Sequence, residues 1–374
     1  MPELRLEPRT QHSTRATFMV SAIAIGLTLI GGSVVFAFYG ISPFKGFHAL
    51  LVEPLTSSYG IGEVLLKMGP LLLIAQGLAI GFRARVWNIG AEGQLILGAI
   101  AGGTIAIVLD GSESPWLLPG MVLAGAAAGM AWAGIAAWLR TSFNANEILV
   151  TFMLSSIALQ LLYYLVTGPL RDPMGFNFPQ SILFSDAALF GVLLADTRAN
   201  TSLLIALGAT LAAWVFMQRS LWGYKLVVGG VSPAAARYAG FSEKRAVWLS
   251  LLIGGAAAGV AGVAEVAGPL GMLQRNISPG YGFAAITVAF LGALHPIGIV
   301  FSSALMALIY VGGDFARLSV GLPSAVTHIL QGMLLLFYLA SAVLLNHRLR
   351  RTTPGDEPDT PPDTAQDTAQ RPTP

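Results

Sequence analysis

Nine stretches of this 374-residue chain contain no Asp, Glu, Lys or Arg. A helix needs about 20 apolar residues to cross the hydrocarbon core of a bilayer, and most of the stretches are that long. The longest, residues 276–313, contains Pro279 and Pro296, so we expect two shorter elements broken near His295 to Gly298. The stretches are residues 16–44, 68–82 (extended outward by Leu65 and Leu66), 93–109, 114–139, 148–170, 199–218, 246–264, 276–313 and 318–347. The sequence therefore predicts an all-α polytopic membrane protein with about ten transmembrane helices.

The composition excludes several classes of protein. Charged residues make up 11% of the chain, whereas a soluble domain has about 25%. Hydrophobic residues make up 55%, and the mean hydropathy is +0.69. A soluble enzyme, a disordered chain and a nucleic-acid-binding protein are therefore excluded, and we expect a multi-pass protein of the cytoplasmic membrane. The chain has no Cys, which excludes disulfides and zinc–thiolate sites.

The distribution of Lys and Arg predicts the orientation. With the N-terminus in the cytoplasm, the inside segments hold 14 of these residues and the outside segments hold five. The inside set is Arg5, Arg9, Arg15, Arg83, Arg85, Arg140, Arg219, Lys225, Arg237, Lys244, Arg245, Arg348, Arg350 and Arg351; the outside set is Lys45, Arg171, Arg198, Arg275 and Arg317. We therefore expect both termini in the cytoplasm: an N-terminal segment at 1–15, a membrane domain at 16–346 and a disordered tail at 347–374.

Two connections are long. Residues 168–198 form the longest outside connection, and its prolines and charges predict a structured external face. Residues 219–245 form the longest inside connection and carry five of the 14 inside cations. We therefore expect a cytoplasmic partner to bind at 219–245.

Polar residues interrupt the apolar sequence at three places. Residues 85–94 place Asn88, Glu92 and Gln94 beside two glycines, and residues 276–283 have a similar composition. These segments are either interfacial loops with helix caps or broken helices whose polar groups line a pathway. They precede the third and eighth predicted spans, so they have opposite orientations, as an inverted repeat requires. The third place, residues 144–147, suits a helix cap as well as a pathway.

Several glycines are spaced for close helix contact, since small residues four apart let helix backbones approach each other in lipid. We interpret them as packing residues and keep a pathway along them as the minority interpretation. They are Gly98, Gly102, Gly125, Gly129, Gly254, Gly255, Gly259 and Gly262.

No catalytic motif is present. The sequence contains no G-x-x-x-x-G-K-[ST], no H-E-x-x-H and no G-x-S-x-G. We therefore expect no enzymatic activity, no cofactor and no metal. If ATP drives the protein, a separate subunit must hydrolyse it.

The inside connection contains Gly-Val-Ser-Pro-Ala-Ala-Ala-Arg-Tyr-Ala-Gly-Phe at 230–241. This block resembles the G-x-N-P-x-A-A-R-Y-A-G-[IV] block of ABC importer permeases. The matching branch is the simple-sugar and nucleoside type associated with basic-membrane-protein-type binding lipoproteins, within the branched-chain-amino-acid/ribose permease superfamily. Ser232 replaces the usual Asn but is also able to cap a helix.

Three further blocks agree in order. Residues 87–94 are similar to L-W-N-I-G-A-E-G-Q, which ribose-type permeases lack, and residues 280–292 are similar to G-Y-G-F-x-x-I-A-V-A-L-L-G. Residues 146–158 are similar to N-E-V-I-x-T-L-M-L-N-Y-I-A, with Ser155 and Ser156 in place of Asn and Tyr. The resemblance covers about residues 60–345.

The resemblance implies the transmembrane subunit of an ATP-driven importer that moves a small polar solute, with a nucleoside preferred. It also implies a separate ABC ATP-binding subunit, a second homologous permease subunit and an extracytoplasmic substrate-binding lipoprotein. The residues implied to couple to the ATPase are Ser232, Pro233, Ala235, Ala236, Arg237, Tyr238, Ala239 and Gly240. Those expected to face the pathway are Asn88, Glu92, Gln94, Asn146, Glu147, Tyr281 and Phe283.

Three alternatives stay open. The chain is a simple-sugar permease, an ion-coupled secondary transporter or channel, or a membrane scaffold without transport. The 230–241 block argues against the second, and polar groups at both broken segments argue against the third. For Tyr281 and Phe283, ordinary core packing explains the residues equally well.

Overall fold

The computed structural model describes the backbone of residues 3–8 and 14–352 and the side chains of residues 19–342. In chain order the helices and strands are β1 Glu3–Pro8, α1 Thr14–Phe38, α2 Pro43–Phe47, α3 Ser58–Arg83, α4 Ala91–Val108, α5 Leu117–Phe143, α6 Glu147–Thr167, α7 Ser202–Arg219, α8 Leu221–Val231, α9 Pro233–Tyr238, α10 Glu243–Glu265, α11 Tyr281–Leu291, α12 Pro296–Val320, α13 Ser324–Asn346 and β2 His347–Thr352. Within these residues, nine helices are long and apolar enough to cross a membrane, and α11 is a shorter apolar helix. The predicted polytopic helical fold is confirmed.

The predicted break in the longest charge-free stretch is also confirmed. Helix α11 ends at Leu291, and α12 begins at Pro296 after a turn in which Ala293 and Leu294 have positive φ. His295 caps α12, because its Nδ1 accepts a hydrogen bond from the backbone N–H of Ile297 at 3.3 Å. Pro296 starts the helix without losing a hydrogen bond, since the first N–H of a helix has no partner inside it.

Charged residues lie inside membrane-length helices such as α3 and α12, so charge-free stretches underestimate the lengths of these helices. Helix α3 contains Glu63 and Lys67, and α12 contains Asp314. Both carboxylate oxygens of Glu63 accept hydrogen bonds from Arg198 at 2.7 Å, and Lys67 Nζ lies 3.8 Å from Asp314. The bonds to Glu63 raise the pKa of the Arg198 guanidinium. Paired charges of this kind are tolerated near a membrane.

The centre of the bundle is formed by α3, α4, α5 and α10, which pack through glycine. A Cβ at Gly259 would lie 2.1 Å from the carbonyl oxygen of Gly125, and one at Gly129 would lie 2.1 Å from that of Gly255. A Cβ at Gly98 would lie 2.3 Å from the carbonyl oxygen of Gly259. The packing role expected for these glycines is therefore confirmed.

Both long connections are structured. Between α6 and α7, the chain lies against the segment after α10: the N–H of Phe190 donates to the carbonyl of Ala267, and that of Phe184 to the carbonyl of Gly271, both at 2.8 Å. The connection between α7 and α10 folds into α8 and α9. The partner-binding segment expected at 219–245 is thus mostly helical.

The chain ends meet in a two-stranded antiparallel sheet, in which Leu4 pairs with Arg351 and Leu6 with Leu349. The strand before α1 and the strand after α13 therefore lie side by side. The segment expected to be a disordered tail from residue 347 begins as β2, and residues 353–374 lie outside the described residues. The cytoplasmic location of the termini and the inverted repeat stay predictions.

We predict that Gly259→Ala destabilises the protein because the methyl group overlaps the backbone of α5. Overpacking of this kind costs about 1–3 kcal/mol. The matched control is Gly208→Ala in α7, where a Cβ has no heavy atom within 4 Å. Thermal unfolding in detergent should show a lower midpoint for the first variant and an unchanged or higher midpoint for the control. Equal midpoints for the two variants would contradict the packing role.

Candidate functional site

The two polar segments predicted from the sequence touch each other. The backbone N–H of Gly282, in the first turn of α11, donates to Glu92 Oε2, in the first turn of α4, at 2.7 Å. Carboxylates are favoured at helix N-termini, and Glu92 is shared by two of them. A Cβ at Gly282 would lie 2.2 Å from the backbone nitrogen of Glu92, so only glycine allows this contact. We call this contact the α4–α11 joint.

The amides beside the joint bind each other. Asn88 Nδ2 donates to Gln94 Oε1 at 2.9 Å, and Gln94 Nε2 donates to Asn88 Oδ1 at 3.0 Å. Asn88 Oδ1 also accepts the backbone N–H of Gly90 at 3.0 Å. Both side chains are buried, so these bonds compensate for their removal from water. In this conformation Asn88 and Gln94 hold the turn before α4.

Helix α6 is anchored to the same turn. Thr151 Oγ1 accepts the backbone N–H of Ile89, and Ser155 Oγ accepts that of Gly93, both at 3.2 Å. The N–H groups at and just before the start of a helix have no hydrogen-bond partner inside the helix. Thr151 and Ser155 supply partners for two of these groups at α4. Ser155 therefore belongs to the joint, whereas Ser156 lies on the exposed side of α6.

The third polar segment forms the start of α6. Asn146 caps this helix by accepting the N–H of Ile148 at 2.9 Å. Glu147 binds Arg140 at the end of α5 and accepts the N–H of Trp87 at 3.4 Å. Asn146 and Glu147 thus tie α5, α6 and the turn before α4 together at the end of the bundle where α9 also lies.

The two aromatic candidates have different surroundings. Tyr281 is buried and packs edge-on against Tyr310, with ring centroids 5.5 Å apart. Phe283 is 39% exposed and lies beside Phe152, which is 50% exposed, with ring centroids 6.3 Å apart. The core-packing alternative therefore describes Tyr281 in this conformation, whereas Phe283 lies at the surface of the bundle.

An exposed row on α6 was missed at the level of sequence. Phe152, Ser156, Gln160 and Tyr164 are four residues apart and are all exposed, whereas Thr151, Ser155 and Leu162 on the other side are buried. We call this row the α6 stripe. Its signal in the sequence is Gln160 in the middle of an otherwise apolar span, at a helical repeat from Ser156.

The expected coupling segment forms α9. Ser232 Oγ caps the helix by accepting the N–H of Ala235 at 3.4 Å, and Pro233 is its first residue. Ala236 is buried against the bundle, whereas Tyr238 is 97% exposed. Ala239 and Gly240 complete the exposed turn after the helix, with Gly240 at positive φ.

The structure brings the candidate residues to two places. Asn88, Glu92, Gln94 and Tyr281 lie buried at or beside the α4–α11 joint, and the α9 residues lie together between α8 and α10. Across the described side chains, no group of three or more His, Asp and Glu is placed to hold a metal ion.

Comparison with known proteins agrees with this architecture. Residues 60–339 match the family described as the branched-chain amino acid transport system permease component. The glucose ABC transporter permease protein of Haloferax volcanii is 36% identical over 359 residues, covering 93% of each chain. The guanosine ABC transporter permease protein of Bacillus subtilis is 30% identical over 325 residues, covering 86% of this chain and 93% of the relative.

A solved structure, PsaBC from Streptococcus pneumoniae in complex with Fab, is similar with a TM-score of 0.45 at 13% identity, covering 76% of this chain and 91% of that chain. The family match spans most of the chain, and the relatives align along nearly their whole length. The chain therefore belongs to the branched-chain amino acid transport system permease family, as an ABC transporter permease of the sugar and nucleoside type.

Proposed function

We propose that this permease moves a small polar solute, preferably a nucleoside, along a pathway that the α6 stripe lines. The supporting observation is the exposure of Ser156 and Gln160 halfway along a 21-residue apolar helix. An amide facing lipid has no hydrogen-bond partner, so such residues face a protein or water. Family membership excludes the ion-coupled transporter and the scaffold as classes.

We propose that a second homologous permease covers the α6 stripe. In the most apolar stretch of α6, 22% of the residues are buried, whereas 89% are buried in that of α3. Helix α6 therefore lies at the edge of this chain. A pathway between two permeases would be enclosed by their two stripes. An ATP-binding subunit and a substrate-binding protein complete an ABC importer of this type.

The exposed aromatic rings support a nucleoside. Phe152, Phe283 and Tyr164 are exposed on or beside the stripe, and aromatic rings stack on flat bases. Ser156 and Gln160 supply hydrogen-bond donors and acceptors for hydroxyl groups or a base edge. The relative named a guanosine permease agrees with this choice. A simple sugar is the second candidate, because the relative with 36% identity is named a glucose permease.

We propose that the α4–α11 joint opens during transport. Asn88, Glu92, Gln94 and Tyr281 are closed to solvent in this conformation. Their contribution to the pathway therefore requires α4 and α11 to separate. Asn146 and Glu147 act at the inner end, where they connect α5 and α6 to the turn before α4.

We propose that α9 docks on the ATP-binding subunit. Its buried Ala236 holds the helix against the bundle, while the fully exposed Tyr238 projects outward and Arg237 is exposed beside it. A large aromatic side chain exposed at a helix end suits a pocket on a partner protein.

Gln160 supplies the amide of the α6 stripe. Gln160→Leu should lower nucleoside uptake about tenfold, because it removes hydrogen bonds to the solute worth about 1.4 kcal/mol in total. Gln160→Asn, which keeps the amide, should retain more activity. The measurement is uptake of labelled guanosine and glucose by cells that carry the complete transporter and lack their own uptake of both.

Phe152→Ala should weaken uptake of guanosine more than that of glucose if a base stacks there. Wild-type uptake of both solutes in both variants would contradict the assignment, and uptake of glucose alone would favour the sugar.

Glu92 supplies the acceptor of the α4–α11 joint. Glu92→Ala leaves the buried N–H of Gly282 without its acceptor, which costs about 1–3 kcal/mol. We expect a lower unfolding midpoint and reduced uptake, whereas Glu92→Gln keeps an acceptor and should be affected less. Glu113→Ala, which removes an exposed acid in the connection before α5, is the control. If Glu92→Ala matches this control in both measurements, the joint has no role.

Arg237 and Tyr238 are the large exposed side chains of α9. The double variant Arg237→Ala and Tyr238→Ala should lose most uptake, together with the ATP-binding subunit that copurifies with the membrane complex. The control is Lys244→Ala, which removes a nearby exposed cation at the start of α10. Full uptake by the double variant would overturn the coupling assignment without affecting the fold.

A further inference from the structure

A basic cavity lies behind α9. It has a volume of about 230 Å³ and is enclosed by the turn after α3, the end of α5, α8, α9 and the start of α10. Five cationic side chains line it, and Glu243 is its one acidic side chain. The cations are Arg85, Arg140, Lys225, Arg237 and Arg245. They come from five different parts of the chain, so the cavity exists only in the folded protein.

The positive charge of the cavity is largely uncompensated. Arg140 is neutralised by Glu147. Across the described side chains, Arg85, Lys225 and Arg245 have no carboxylate within 4.0 Å, and neither does Arg237. Glu243 offsets one charge at most. Like charges gathered around one concave space repel each other, and a bound anion would relieve that repulsion.

The wall of the cavity is aromatic. Lys225 Nζ lies 4.9 Å from the ring centre of Trp222 and 5.5 Å from that of Phe241, which are favourable cation–π distances. Leu221 and Tyr224 on α8 are exposed outside the cavity, and Trp222, which lines the cavity, is partly exposed between them. Trp and Tyr concentrate at the membrane–water interface, and a leucine beside them faces the acyl chains. A basic interior with an apolar, aromatic rim matches a lipid with its phosphate inside the cavity.

We infer that this cavity binds the phosphate of an anionic phospholipid from the cytoplasmic leaflet. Basic pockets between transmembrane helices on the cytoplasmic side bind anionic headgroups in this way. The cavity lies on the side of α9 that carries buried Ala236, so Tyr238 stays available to the ATP-binding subunit. The bound phosphate would bridge α8 and α10 and hold the base of the coupling helix in place.

The test is calorimetric titration of the purified full-length chain with dioctanoyl phosphatidylglycerol, dioctanoyl phosphatidylcholine, glycerol phosphate and inorganic phosphate. The cavity variant is Lys225→Gln with Arg245→Gln. The matched control is Arg219→Gln with Lys244→Gln, since Arg219 lies 5.8 Å from the ring of Trp214 and neither residue lines the cavity. A charge-preserving variant, Lys225→Arg with Arg245→Lys, tests rescue. Thermal unfolding of each variant checks that it folds.

We expect the cavity variant to bind phosphatidylglycerol about 30-fold more weakly than wild type, because each cation near an anionic surface contributes about fivefold. The control and the charge-preserving variant should stay close to wild type, and phosphatidylcholine should bind weakly to all of them. The lipid assignment predicts that the two soluble phosphates bind much more weakly than phosphatidylglycerol.

Four results would overturn the inference or part of it. Unchanged lipid binding in the cavity variant would exclude the site. Equal weakening in the cavity variant and the control would show general attraction to the inner surface instead. Soluble phosphates that bind as tightly as the lipid, and only to an intact cavity, would keep the phosphate site but replace the lipid as its source. Absence of binding to every anion, with loss of the ATP-binding subunit in the cavity variant only, would assign the cavity to the protein partner.

Discussion

In hydrocarbon no water is available to a backbone amide or a carboxylate, so each such group must find its partner inside the protein. The α4–α11 joint meets this requirement at the point where two helices begin. Glu92 accepts the N–H of Gly282, while Thr151 and Ser155 accept those of Ile89 and Gly93. Three helices therefore depend on one set of hydrogen bonds. The starts of α4 and α11 are stable here because neighbouring helices supply their hydrogen-bond partners.

Close backbone contact makes these bonds possible. Gly282 lies against the backbone of Glu92, and Gly259 lies against that of Gly125 on α5. Between apolar helices, lipid supplies no hydrophobic driving force, so van der Waals contact at short distance holds the bundle together. The glycine contacts hold the helices close enough for short polar side chains to span between them. The Arg140–Glu147 pair joins α5 to α6, and the Glu63–Arg198 pair joins α3 to the segment before α7.

The proposed transport surfaces lie around this centre. The α6 stripe faces outward because the opposite side of α6 binds the start of α4 through Thr151 and Ser155. Helix α9 projects from the same end of the bundle as the turn before α4, with the basic cavity behind it. A movement of α9 driven by ATP would thus reach α10 and the turn before α4 through a short chain of packed elements. The proposed lipid would act at the start of that chain.

The sequence by itself determined the membrane class, the helix count, the break before Pro296 and the capped helix at 233–238, because length, hydropathy and caps are local properties. It also identified the two polar segments. Only the tertiary structure decided that these segments bind each other, that Asn88 pairs with Gln94 and that Gln160 is exposed, since each depends on which helices are neighbours. Glu63 was left out of the predicted span for the same reason. A rule that counts charges along the chain does not show that Arg198, from a loop more than a hundred residues away, binds Glu63.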